Sequence, residues 1–151
     1  MSAEGETQSR PARIEPPVTD ASAPFWDATR ERVLRLPWCV ECGEPFWFPR
    51  EVCPRCLGSA IDWRPASGQG QIYAFTVENR PTMLPAVFGE ERYAVALVEL
   101  DEGVRMMTNV IGCPVDEIAV GQPVEVTWEP MSDGRNLALF APRGGTGTSQ
   151  G

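Results

Sequence analysis

Four cysteines stand in two knuckles of the same spacing, Cys39-Val40-Glu41-Cys42 and Cys53-Pro54-Arg55-Cys56, with ten residues between them. A C-x-x-C knuckle lets two sulfurs converge on one ion, and a hairpin that brings the second pair round completes a tetrahedral set. Gly43 and Gly58, just past each knuckle, suit the tight turns that aim backbone amides at thiolates. Four thiolates fill the coordination sphere of Zn²⁺ and leave no position at which water could be activated, so the chemistry expected of Cys39, Cys42, Cys53 and Cys56 is that of a structural staple. Two redox pairs are the competing reading; it is disfavoured because neither knuckle lies in a βαβ context and each completes the other. The fifth cysteine, Cys113, has no histidine or lysine available to lower its thiol pKa and reads as a small buried hydrophobe.

Two absences narrow the remaining chemistry. The 151-residue chain has no histidine, and all thirteen of its basic residues are arginine. Imidazole bases, Schiff-base amines and P-loop lysines are therefore excluded within it. The acid pairs Glu90-Glu91 and Asp101-Glu102 fall in expected turns and read as solvated surface rather than as a general acid/base couple. The length fits one domain of ordinary size or two very small ones. No apolar run approaches the roughly 20 residues that cross a bilayer. The start, MSAEGETQSRPAR, lacks the basic and apolar regions of a secretory leader, so a soluble, cytosolic protein without a disulfide framework is expected.

The elements that must position the knuckles follow from composition and period. Residues 1–19 are polar and rich in Pro, Glu and Ser, and are expected to be a disordered arm, with 143–151 a flexible tail. In the 20–66 unit, Ser22 as N-cap, Pro24 in the first turn and Phe25, Trp26, Val33, Leu34 and Leu36 at near-helical spacing predict one amphipathic helix ending before Pro37. A rubredoxin-like zinc ribbon follows, with a short strand over residues 60–64. In the 67–142 unit, alternating patterns predict five strands, at 71–78, 92–100, 104–111, 123–129 and 136–141, with short hairpins at 101–103 and 132–135. The connection 112–121 is long enough for one helical turn. The fold class expected is thus mainly β: an N-terminal helix, a zinc ribbon, then a five-stranded OB-fold barrel with a short helix between its third and fourth strands.

Charge bears on partners. From 35 to 64 four arginines face four acids, whereas from 70 to 141 four arginines face eleven acids, a balance of −7 within an overall −8. An OB-fold that holds single-stranded nucleic acid needs a positive groove and aromatic platforms. Tyr73, Phe75, Tyr93 and Trp128 offer rings, but the charge is missing, which leaves a nucleic-acid module as the alternative reading. Trp47 and Phe48 suit a partner-binding surface and a cover for the metal site equally. The stripe with Phe25 and Trp26 is one that so small a domain would leave partly uncovered, as docking to another subunit requires.

The order of these motifs is specific. Pro24-Phe25-Trp26, Cys39-x-x-Cys42-Gly43, Phe48-Pro49-Arg50, Cys53-Pro54-x-Cys56, Ser67-Gly68-x-Gly70, Tyr73-x-Phe75-Thr76-Val77, Ala94-x-Ala96-Leu97-Val98-Glu99-Leu100, Met107 to Gly112 and Val120-Gly121-x-Pro123-Val124-Glu125-Val126 together resemble the zinc-ribbon plus OB-fold acyl-CoA-associated family, first catalogued as domain of unknown function thirty-five. The likeness spans residues 23–142. It implies an accessory subunit that assembles with thiolase-like acyltransferases, or with aldolases that shorten steroid side chains held as CoA thioesters; archaeal relatives bridge a thiolase and a synthase. The resemblance carries metal ligation to Cys39, Cys42, Cys53 and Cys56 and assigns no catalytic residue, the reaction belonging to the thiolase-like chain. In such a complex the loop 79–91 is the segment expected to reach substrate, and Arg80 near one end and Arg92 just beyond the other are expected to meet CoA phosphates; a plain strand connection is the bland alternative.

Overall fold

The structure is a computed structural model in which residues 15–79 and 92–144 are described. Helix α1 (Ala23–Thr29) is shorter than its sequence pattern suggested. Arg32 takes a φ of 60°, a left-handed turn through which an α-helix does not continue, and the chain then extends as β1 (Arg35–Cys39). Leu34 and Leu36 are both buried and stand two apart, the strand period, so their near-helical distance from Trp26 was coincidental. Ser22 does not cap the helix either. Its backbone is already helical, and its hydroxyl donates to the Thr19 carbonyl at 3.3 Å and accepts from the Thr19 amide at 3.0 Å.

β1 pairs antiparallel with β2 (Ile61–Pro65), in register from Arg35 opposite Pro65 to Cys39 opposite Ile61. This two-stranded ribbon carries both knuckles on the long connection between its strands.

The five remaining strands, β3 (Gln69–Glu78), β4 (Tyr93–Leu100), β5 (Arg105–Val110), β6 (Pro123–Pro130) and β7 (Asn136–Pro142), close into a barrel in the order β3-β4-β5-β7-β6. A 3-10 turn at Val115–Glu117 joins β5 to β6, and β5 pairs with β7 in parallel, which completes the expected OB-fold. β4 shows why the pattern was readable: Ala94, Ala96, Val98 and Leu100 are buried while the residues between them are half exposed. β3 is the closing strand and pairs with both β4 and β6. At Gly70, which faces Leu100 on one side and Val124 on the other, a Cβ would strike the Glu99 carbonyl, so only glycine permits the approach that shuts the barrel.

One hydrophobic cluster joins Phe25, Trp26, Leu34 and Leu36 to the barrel residues Ile72, Val98, Leu100, Val124 and Phe140. The helix, the ribbon's first strand and the barrel therefore share a core. Polar contacts fix the same joint. Thr29, fully buried, accepts the Asn136 amide on its hydroxyl at 3.2 Å, and its carbonyl accepts the Asn136 side-chain amide at 2.8 Å. Arg135, only 5% exposed, lays its guanidinium 4.7 Å from the Trp26 ring centroid and pairs with Asp133 at 2.8 Å.

The edges of the folded region differ from expectation. Glu15, expected within the disordered arm, accepts hydrogen bonds from the Ser132 amide (2.9 Å) and hydroxyl (2.8 Å), and the Pro16 carbonyl accepts one from Arg135 (2.9 Å). A charged anchor on the β6–β7 hairpin thus orders the end of a segment whose composition argued for disorder. Arg143, expected in the tail, donates its amide to the Pro123 carbonyl at 3.0 Å and its side chain to Gln69. Residues 1–14 and 145–151 of those two segments lie outside the described residues.

A Thr29→Val substitution keeps the shape of the joint but leaves the buried Asn136 amide without an acceptor. We expect a loss of about 1–3 kcal/mol in unfolding free energy by chemical denaturation; an unchanged midpoint would show that the joint is not held by this bond.

Candidate metal centre and surrounding surfaces

The two knuckles bring four sulfurs together. Cys39 Sγ lies 3.5 Å from Cys56 Sγ and Cys42 Sγ lies 3.8 Å from Cys53 Sγ, and all four lie within 4.8 Å of one another. A Zn–S bond of about 2.3 Å in tetrahedral geometry sets an S···S edge of about 3.8 Å, so the set fits that ion. Backbone amides already face the sulfurs: the Cys42 amide donates to Cys39 Sγ at 3.5 Å and the Arg55 amide to Cys53 Sγ at 3.3 Å. Cys39 and Cys53 are fully buried and Cys42 and Cys56 are exposed, so each knuckle contributes one inner and one outer ligand.

The thiols perturb one another. The amide of Cys56, aided by that of Arg55, brings Cys53 down to about 7. The Gly58 amide pulls Cys56 down, but the Cys39 thiol, burial and the Cys53 thiol outweigh it and push Cys56 up to about 12. A divalent ion removes this conflict by stabilising all the thiolates together.

The aromatic residues assigned to docking divide into two groups. Phe25 and Trp26 are 5% and 8% exposed and stack edge-to-face at 4.9 Å, with Phe25 also 5.1 Å from Trp47. They are core residues, covered by Arg135 and the barrel, and the expectation of an open helical stripe is corrected accordingly. Trp47 is half-buried against the same core. Phe48 alone is open, at 61% exposure. The sequence reading overlooked three further apolar residues in the same region: Val40, Val52 and Leu57 are exposed, each beside a cysteine of the centre.

Arg92 is not a free cation. Its two terminal nitrogens grip Asp116 at 3.2 and 3.0 Å and its Nε donates to Asn79 at 2.7 Å. This pairing holds the Asp116 carboxyl below the usual carboxylate range. Arg80 and most of the loop 79–91 lie outside the described residues. Cys113 is half-buried against the core, where burial, and then the Glu117 charge, push its thiol up, as suits an inert side chain. Of the rings considered for nucleic acid, Phe75 and Trp128 pack on the core, and exposed Tyr73 is covered by Arg105 at 3.6 Å, itself paired with Glu99. Among the described residues, no helix is long and apolar enough to cross a membrane.

Comparison with known proteins agrees with this architecture. Residues 26–62 match the family described as ChsH2, rubredoxin-like zinc ribbon domain, and residues 63–129 match ChsH2, C-terminal OB-fold domain. A probable enoyl-CoA hydratase alpha subunit of Thermomonospora curvata is 34% identical over 91% of this chain, which spans only 43% of that protein. A DUF35 domain-containing scaffold protein of Methanothermobacter thermautotrophicus is 32% identical over 63% of this chain and 71% of its own length. Among solved structures, an Ltp2-ChsH2(DUF35) aldolase chain superposes with a TM-score of 0.75 at 34% identity, covering 85% of this chain and 98% of that one.

Replacing an inner ligand should undo the centre. Cys53→Ser is expected to lose metal by elemental analysis and to lose cooperative unfolding. Wild-type metal should also be released on acidification, because protons compete for the thiolates. A serine variant with a full metal complement and wild-type Tm would contradict the assignment.

Proposed function

The chain belongs to the DUF35 family, with the zinc ribbon and OB-fold of ChsH2, and on that premise we propose that it is an assembly subunit of a thiolase-like acyl-CoA enzyme. In this reading Cys39, Cys42, Cys53 and Cys56 hold Zn²⁺, the ribbon docks on the catalytic subunit, and the barrel covers or lengthens the acyl-CoA channel. The observation that carries it is a closed four-sulfur centre on a ribbon whose residues Val40, Val52 and Leu57, each next to a cysteine, and Phe48 between the knuckles are exposed. A metal site without an open ligand position does no chemistry of its own, and apolar side chains in water call for a partner.

The partner supplies acyl transfer or carbon–carbon cleavage on a CoA thioester, and a steroid-derived acyl group is the substrate we assign. The complementary role of this chain is positioning and exclusion of water from the reacting thioester. The Thermomonospora relative is by name an alpha subunit of an enoyl-CoA hydratase, the solved neighbour is an Ltp2-ChsH2(DUF35) aldolase, and the archaeal relative is named a scaffold protein, which supports a supporting rather than a catalytic part. Arg80 and Arg92 remain the candidates for CoA phosphates, with Arg92 required to exchange Asp116 for a phosphate.

Gentle affinity purification of the full chain from its native host, with mass spectrometry, tests the proposal. A thiolase-like enzyme should co-purify in stoichiometric amount and stay bound as salt rises, since apolar contacts are insensitive to screening. Recovery of nucleic acid that salt releases steeply, or of the chain alone at near-native concentration, would refute it.

A further inference from the structure

The two knuckles fold alike, and where glycine closes the first, an exposed leucine closes the second. In the first, the Cys39 amide donates to the Glu44 carbonyl at 2.9 Å and the Gly43 amide to the Cys39 carbonyl at 2.8 Å. In the second, the Cys53 amide donates to the Gly58 carbonyl at 2.8 Å and the Leu57 amide to the Cys53 carbonyl at 2.9 Å. Gly43 and Leu57 therefore hold the same place, and they share a left-handed backbone, with φ of 74° and 65°. Glycine adopts that conformation freely; leucine does so against the repulsion between its Cβ and the following carbonyl.

The left-handed backbone closes the turn of the knuckle, as it does at Gly43, but that turn makes no use of a leucine side chain. Leu57 is 73% exposed, more than any other large hydrophobic residue described, so its side chain adds almost nothing to the core. A bulky apolar side chain kept in water where glycine would be unstrained fits a functional position. The neighbouring sequence agrees: Val40 and Val52, each one residue from a cysteine of the centre, are also exposed, as is Phe48 on the connection between the knuckles.

We infer that Leu57 is the anchor of the ribbon's docking surface, seated in an apolar pocket on the enzyme subunit, with a basic surface flanking that pocket. The inference rests on the assembly-subunit reading and names the residue through which it works. Charge selects the occupant. The segment 39–58 has three glutamates and two arginines, and four thiolates around Zn²⁺ add −2 to a chain already at −8. A second copy would bring like charge against like, whereas a basic rim on a different subunit complements it.

The test uses the zinc-loaded full chain as Leu57→Gly and Leu57→Asn. Glycine removes both the side chain and the strain; asparagine tolerates the left-handed backbone and replaces the apolar group with a polar one. The probe is the thiolase-like subunit purified from the wild-type complex, titrated by calorimetry. Both variants should keep their zinc, melt at or above the wild-type Tm, and bind the subunit at least tenfold more weakly. Unchanged affinity would overturn the anchor while leaving the assembly reading intact. Loss of zinc or a clearly lower Tm would also overturn it, by showing that Leu57 serves the fold. If sedimentation shows wild-type homodimers that the variants lose, the occupant is a second copy and the inference fails. A wild-type chain that binds no thiolase-like subunit removes the assembly reading itself.

Discussion

The convergence of four sulfurs within 4.8 Å is the constraint on which the rest of this molecule depends. A two-stranded ribbon with five-residue strands cannot bury enough apolar surface to hold itself in water. A cation that ties the two knuckles together closes the long connection between those strands and fixes where Cys39, the last residue of β1, must lie. From β1 the constraint passes inward: Leu34 and Leu36 enter the cluster that also takes Phe25, Trp26, Ile72 and Phe140. The barrel, closed by hydrogen bonding all round, is the rigid body against which the ribbon and helix are set.

This arrangement divides the apolar residues by task. Those of the helix and of β1 are spent on the joint, where Arg135 covers Trp26 and Thr29 meets Asn136. Those at the knuckles are left in water beside the metal site. In the proposed reading stability and recognition occupy opposite ends of a short ribbon, and a metal that stabilises one end also holds the backbone of the other in shape. A rigid, preorganised apolar surface loses little entropy on docking, which favours a constant partner.

The sequence disclosed what depends on local chemistry. Cysteine spacing announced the metal centre, and strict alternation along residues such as Ala94, Ala96, Val98 and Leu100 announced the barrel. It was silent wherever a distant residue decided the outcome. Whether Phe25 and Trp26 are covered depends on the barrel and on Arg135, the latter more than a hundred positions away, and periodicity cannot report that. The stretch from Val33 to Leu36 is too short to separate a period of 3.6 from one of 2, and the left-handed turn at Arg32 settled it as strand. Arg92 read as an available cation because nothing nearby in sequence showed that Asp116 would face it. The four ligands were legible as a set, while the exposed apolar residues next to them in sequence were not, since Val40, Val52 and Leu57 look like ordinary core residues until their exposure is known.

The central claim is that the zinc-stapled ribbon makes this chain a subunit. The most direct measurement is sedimentation velocity of the purified complex with the thiolase-like enzyme, before and after the zinc is withdrawn by a chelator and again after zinc is restored. The account predicts one zinc per chain, dissociation of the complex on its removal and reassembly on its return, because the docking surface exists only while the four sulfurs are held together. A complex that remains intact without zinc would place the contact on the barrel and contradict the account.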